Sequence, residues 1–162
     1  DRRKSEAARL RDLEAAGDLS IVSDMAEAND ELAQVVAQVD AAGVLAQVGL
    51  DLYGPADAVD ALAQHGIAGD DRVVGIQQGW RLNGVIKTVE NRLANGTMVH
   101  AGQPLMAWCV GNAKVEPKGN AISITKQAAG TAKIDPLVAA FCAGALMVRN
   151  PEAQGQSFWA AA

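Results

Sequence analysis

The chain has 162 residues, and that length holds one domain with a core that needs no disulfide or metal staple, which excludes separate complete cofactor and substrate domains. With 49% hydrophobic but 4% aromatic residues and 16 glycines, it reads as an α/β or α-rich soluble protein and not as an all-β sandwich or barrel. A formal net charge of −5 speaks against holding nucleic acid by bulk electrostatics, which needs clustered Lys and Arg.

Leu10 and Leu13 among Ala, Arg and Glu predict an amphipathic helix over 3–16, closed by Gly17. After the apolar step Leu19–Val22, Asn29 is the expected cap of a second helix. Its first turn holds Asp30 and Glu31, its apolar stripe is Leu32, Val35, Val36 and Val39, and Gly43 ends it. Val44 to Tyr53, broken by Gly54-Pro55, reads as a buried strand. Pro55 then opens a helix over 55–65 with Val59, Leu62 and Ala63 on one face and Gly66 at its end. Arg72 to Ile76 is a second buried strand, and Leu82, Val85, Ile86, Val89 and Leu93 place a helix at 82–95 before Gly96. Strand and helix in this succession predict βαβ units on a parallel sheet.

A short helix is expected near 103–110, then a hairpin of 113–116 and 121–124 around the turn Pro117-Lys118-Gly119-Asn120. A polar loop over 125–132 leads to Asp135-Pro136, which opens a very apolar helix over 137–148 that should pack on the sheet; residues 150–162 read as a loose tail.

Charge divides along the chain. Residues 14–71 hold twelve acids and no Lys or Arg, whereas 72–149 hold nine bases against three acids. Such an asymmetry marks either an anionic partner for the basic half or two ordinary solvated faces. Cys109 and Cys142 lack any metal-ligand or disulfide spacing and read as reduced core residues of a cytosolic protein. No apolar run reaches the roughly 18–20 residues of a membrane span, and no signal peptide follows the polar start, so no membrane partner is expected.

Glycine-rich phosphate loops and the Gly-x-Ser-x-Gly elbow are absent, and His65 and His100 are the only histidines available as bases. Carboxylates in odd places remain. Asp51 lies near the carboxyl end of an apolar strand, where parallel sheets bind ligands and where a buried acid needs a cation or donor. Asp135 opens the most apolar helix, where it reads either as an ordinary cap or as a ligand. Two such acids, one from a strand and one from a neighbouring helix, suit Mg²⁺ or Mn²⁺.

Five stretches in order carry a resemblance: Gly49-Leu50-Asp51-Leu52-Tyr53-Gly54, Val73 to Gly79, Asn95 to Leu105, Asn112-Ala113, and Lys133-Ile134-Asp135-Pro136-Leu137-Val138-Ala139. Over residues 1–150 the chain resembles the carboxyl-terminal nuclease domain of tailed-phage large terminase subunits. The resemblance implies a ribonuclease H-like fold, three α/β/α layers around a mixed sheet. It also implies cleavage of concatemeric double-stranded DNA by two-metal hydrolysis with one or two Mg²⁺ or Mn²⁺ ions. Asp51 and Asp135 match the family's catalytic, metal-binding acids. Lys118, Lys126 and Lys133 would contact DNA phosphates, and His100 and Asn112 match recurrent positions without an assigned role.

The family's first acid lies on a leading strand ahead of this segment, so the chain is expected to lack the leading strands and one ligand; Asp18-Leu19-Ser20 shares its lettering but not its place. The ATP-binding motor domain is likewise not in this chain. Implied partners are that motor domain, the small terminase subunit and the portal or procapsid, in the cytoplasm of a bacterial host. The alternative of another class is a non-catalytic domain of the same fold that docks DNA or procapsid. An unrelated small α/β hydrolase or nucleotide-binding domain is disfavoured by the absent motifs.

Overall fold

The computed structural model describes residues 6–54, 56–126, 133–149 and 151. The expected helix start at 3–5, the role of Pro55, most of the polar loop and almost all of the tail lie outside them. Among the described residues the chain is α/β, with six α-helices and two small two-stranded sheets. It divides into two units, one made of Asp1–Ile21 and Gly79–Phe141, the other of Val22–Gln78 and Cys142–Ala162. No described helix is long and apolar enough to cross a membrane.

In the second unit, helix α2 (Met25–Ala41) leads to strand β1 (Val48–Asp51), helix α3 (Ala56–Gln64) and strand β2 (Val73–Ile76). The strands pair in parallel as predicted, Val48 opposite Val73 and Asp51 opposite Ile76, but β1 is shorter than its apolar run and β2 begins one residue after Arg72. Paired positions share a face and successive residues alternate. Val48, Leu50 and Val73 therefore turn together onto the buried cluster of Ala33, Leu62 and Ile67 supplied by α2, α3 and the turn after α3. Gly49 faces the other way, onto Cys142 and Leu146 of helix α6 (Asp135–Met147). Each face of this sheet thus has helical cover.

The α2 start differs from expectation. Asp24, not Asn29, is the N-cap: its carboxylate accepts the Glu27 N–H at 2.9 Å. Glu27 in turn accepts the Ser23 N–H at 2.8 Å and the Ser23 hydroxyl at 2.7 Å. Asp24 thus satisfies the Glu27 N–H, an orphan donor of the first turn, while Glu27 reaches back past the cap to Ser23. The buried line of α2 is accordingly Asn29 and Ala33, with Val36 and Ala37 half-buried, while Leu32, Val35 and Val39 of the expected core stripe are exposed. On α3 the same shift puts Ala58 and Leu62 inside and leaves Val59 and Ala63 exposed.

The glycine stops hold. At the end of α3 the Gly66 N–H bonds the Ala63 carbonyl at 3.0 Å and the Ile67 N–H bonds the Leu62 carbonyl at 3.1 Å, with Gly66 at φ +77°. This is a Schellman closure, and it brings Ile67 back onto Leu62.

The other unit contains helix α1 (Ala7–Ala15), a 3₁₀ turn at Gly79–Leu82, helix α4 (Asn83–Ala94), helix α5 (Pro104–Gly111), the hairpin strands β3 (Ala113–Lys118) and β4 (Ala121–Lys126), and the start of α6. Asp18 accepts the Leu105 N–H at 3.0 Å and caps α5, whose own N-cap Gln103 offers no side-chain bond. Arg9 lies over the Trp108 ring at 5.4 Å. The hairpin is longer than expected because Pro117 and Lys118 belong to β3, opposite Ile122 and Ala121, which reduces the turn to Gly119-Asn120. Asn83 accepts the Ile122 N–H at 3.0 Å and so covers an edge that would otherwise stand open. Helix α6 starts two residues before its apolar run, since the Val138 N–H bonds the Ile134 carbonyl at 3.0 Å; Asp135 is its first residue and not its cap.

A Cβ at Gly49 would lie 3.1 Å from Leu146 Cδ1 and 3.2 Å from the Cys142 carbonyl oxygen, which is helix backbone. Gly49→Ala is expected to destabilise by about 1–3 kcal/mol in denaturant unfolding, the usual cost of overpacking. Gly75→Ala, whose Cβ would meet the movable end of the exposed Leu52, should cost less.

Candidate functional site

Asp51 is the last residue of β1, and its surroundings differ from those expected of an acid inside an apolar strand. It is exposed, so its charge needs no buried counter-ion. The chain turns at once: the Gly54 N–H bonds the Asp51 carbonyl at 2.7 Å and the Tyr53 N–H bonds Asp51 Oδ1 at 3.0 Å. A Cβ at position 54 would stand 2.8 Å from the Asp51 carbonyl oxygen, so the turn requires glycine. Asp51-Leu52-Tyr53-Gly54 is thus a self-stapled turn that presents a carboxylate at the carboxyl end of a parallel strand.

A cleft of about 250 Å³ runs along this sheet and is lined by Leu50, Asp51, Gly54, Val73 and, further along, Asp70. Asp70, which sequence reasoning left without a role, lies in the turn before β2, toward the end of the sheet where Val73 pairs with Val48, whereas Asp51 pairs with Ile76 at the other end.

Asp135 belongs to the other unit. Its helix start is fixed from both sides: Ile134 is buried, and the Asn112 side-chain amide donates to the Lys133 carbonyl at 3.0 Å. Lys133 and Asp135 therefore flank a buried anchor, and Asn112, a motif position without an assigned role, holds the segment in place. The Asp135 carboxylate is exposed at the first turn of α6, where the helix dipole favours negative charge. Burial pushes the Cys109 thiol above its ordinary range, and the nearby Asp135 charge adds to the rise. Cys109 and Cys142 are free and buried.

The three lysines separate. Lys126 pairs with Ala113, next to Asn112, so Lys126 and Lys133 lie near the same end of the hairpin as the start of α6. Lys118 sits at the turn, a strand length away, and its Nζ lies 3.7 Å from Glu116 Oε2; Lys114 Nζ lies 3.9 Å from Glu116 Oε1. His100 accepts the Gly102 N–H on Nδ1 at 3.1 Å. It also borders an apolar cleft of about 540 Å³ formed with Val89, Met98, Met106 and Leu137.

Among the described residues no three His, Cys, Asp or Glu side chains form a group able to hold a metal. Mg²⁺ does not require one, since it is commonly held by one or two carboxylates, substrate phosphates and water. An exposed carboxylate such as Asp51 or Asp135 fits that donor chemistry. No family model, curated protein or solved structure matches the chain.

Removing the charge in Asp135→Asn should lower the Cys109 titration midpoint, read by NMR of its Cβ, while burial keeps it above the ordinary thiol range. The raised thiol also fixes the sign of a stability effect. Stability conferred by the neutral form is complete below the unfolded value near 9.0 and is lost as pH rises toward the folded value. Wild-type unfolding should show this alkaline loss, and Cys109→Ala should diminish it.

Proposed function

We propose that this chain is the metal-dependent endonuclease domain of a phage DNA-packaging terminase, with a ribonuclease H-like fold. The order of five sequence stretches supports this reading. The structural observation that carries it is the exposed Asp51 carboxylate, held by a glycine-dependent turn at the carboxyl end of a parallel strand, the place where such sheets bind ligands. Asp51 and Asp135 are each assigned as a carboxylate ligand for Mg²⁺ or Mn²⁺. When bound, the ion activates water for attack on phosphorus and stabilises the leaving oxygen.

The protein's own residues act by position. The turn at Tyr53 and Gly54 fixes Asp51, and Asn112 with Ile134 fixes the segment bearing Lys133 and Asp135. Lys126 and Lys133 meet the DNA backbone, contacts that position a duplex without reading its sequence. Lys118 contributes less, because Glu116 stands beside it. Double-stranded DNA is the substrate; the motor domain, small terminase subunit, portal or procapsid are its partners in the host cytoplasm.

The test is nicking of supercoiled plasmid in Mg²⁺ or Mn²⁺ by a protein that also carries the leading strands. Asp51→Asn and Asp135→Asn should each abolish cleavage and leave DNA binding in place. Cleavage that survives both substitutions sinks the assignment. Salt-dependent binding without cleavage in the wild type would replace it with a docking domain. Lys126→Ala and Lys133→Ala should each weaken binding across sequences and reduce the salt slope by about 1, while Lys118→Ala changes it less.

A further inference from the structure

Helix α2 carries more apolar surface than its own unit covers. Met25, Ala28, Leu32, Val35 and Val39 follow the alternating three- and four-residue spacing that places side chains in one seam along a helix. This seam is offset from the line of Asn29 and Ala33 that packs inward. Met25 is 65% exposed, Val35 58%, Leu32 41% and Val39 38%. Val44, also exposed, extends the patch, because its N–H closes on the Val39 carbonyl at 3.4 Å after Gly43.

Polar residues border the seam on both sides. Glu31 lies on one side. On the other, a groove of about 360 Å³ between α2 and α3 is lined by Asn29, Asp30, Asp57, Asp60 and Gln64. Asn29 is only 8% exposed, and its amide takes no partner among the described residues. From residue 14 to 71 the chain has no Lys or Arg, and His65, 3.9 Å from Asp30, is the sole group there able to become cationic. A second copy of this surface would set carboxylates against carboxylates.

We propose that the α2 seam and the adjoining acidic groove dock a basic amphipathic helix of a partner protein. Its apolar residues would lie along Leu32, Val35 and Val39, and a Lys or Arg would enter the groove toward Asn29, Asp57 and Asp60. The chemistry is that of helix-in-groove recognition, with apolar anchors for affinity and flanking charge for selection. It does not depend on the nuclease reading, since none of these residues belongs to that site.

The probe is a labelled 21-residue helical peptide with Leu at the seam positions and Lys beside them, titrated with the full chain by fluorescence anisotropy. Two control peptides replace Lys by Glu, or Leu by Ser. The Leu/Lys peptide should bind at least tenfold more tightly than either control. Val35→Asp, at an exposed position, should weaken it at least tenfold, and the double change Asp57→Asn with Asp60→Asn should weaken it several-fold and flatten its salt dependence. Equal binding of either control, or indifference to Val35→Asp in a chain with unchanged circular dichroism, overturns the proposal. So does concentration-dependent dimerisation that Val35→Asp abolishes, which would assign the seam to a second copy.

Discussion

The turn that closes α3 sets the geometry of the parallel-sheet unit. Leu62 and Ile67 lie five residues apart, both fully buried, and meet only because Gly66 takes a left-handed conformation between them. Burying two such side chains stabilises by about 1.5–3 kcal/mol each, and a side chain at that φ would oppose the closure by about 1–2 kcal/mol. The same turn aims the chain back toward β2, whose Val73 then joins Val48 and Leu50 over the cluster. Asp51 comes to the end of its strand because β1 is clamped this way on one face and at Gly49 on the other.

Features governed by neighbouring residues were legible in the sequence. Gly17, Gly43, Gly66 and Gly96 all end helices with positive φ, as their places after apolar periodic stretches predict. The parallel pairing of β1 and β2 followed from the strand, helix, strand order. Helix starts were harder where two acceptable caps compete. Asn29 with Asp30 and Glu31 looks as good as Asp24 until the Glu27 N–H bond to Asp24 and the Ser23 bonds to the Glu27 carboxylate are weighed, and those residues were present in the letters. The misread stripe on α2 has another cause. Periodicity counts apolar residues, but it cannot say how many of them α3 and the two strands have surface to cover.

The candidate site was legible as residue types and not as environments. An acid at the end of an apolar run reads as buried, yet β1 stops at Asp51 and the turn lifts the carboxylate into solvent. The Asn112 bond to the Lys133 carbonyl joins residues 21 apart, and the Asp18 cap on Leu105 spans 87; no local pattern encodes either. Both are side chains satisfying backbone groups at helix or strand ends, which is why such polar residues recur at places without obvious chemistry.

Charge segregation survives folding because the few opposite charges are consumed locally. Between residues 22 and 78 the single Lys or Arg is Arg72, and its guanidinium bonds Asp40 at 2.6 Å. With only 14% of its side chain exposed, Arg72 joins the end of α2 to the start of β2, and that segment has no other Lys or Arg to set beside Asp30, Asp57 or Asp60. The hairpin shows the converse pattern. Glu116, the single acid of the two strands, sits between Lys114 and Lys118, so among the described residues the hairpin lysine without an acid beside it is Lys126 at the other end. The two sequence halves therefore present two surfaces of opposite sign, one apolar and acidic along α2, the other basic beside Asn112. The two proposed partners, a cationic helix for the first and DNA for the second, each match the sign of the surface assigned to them.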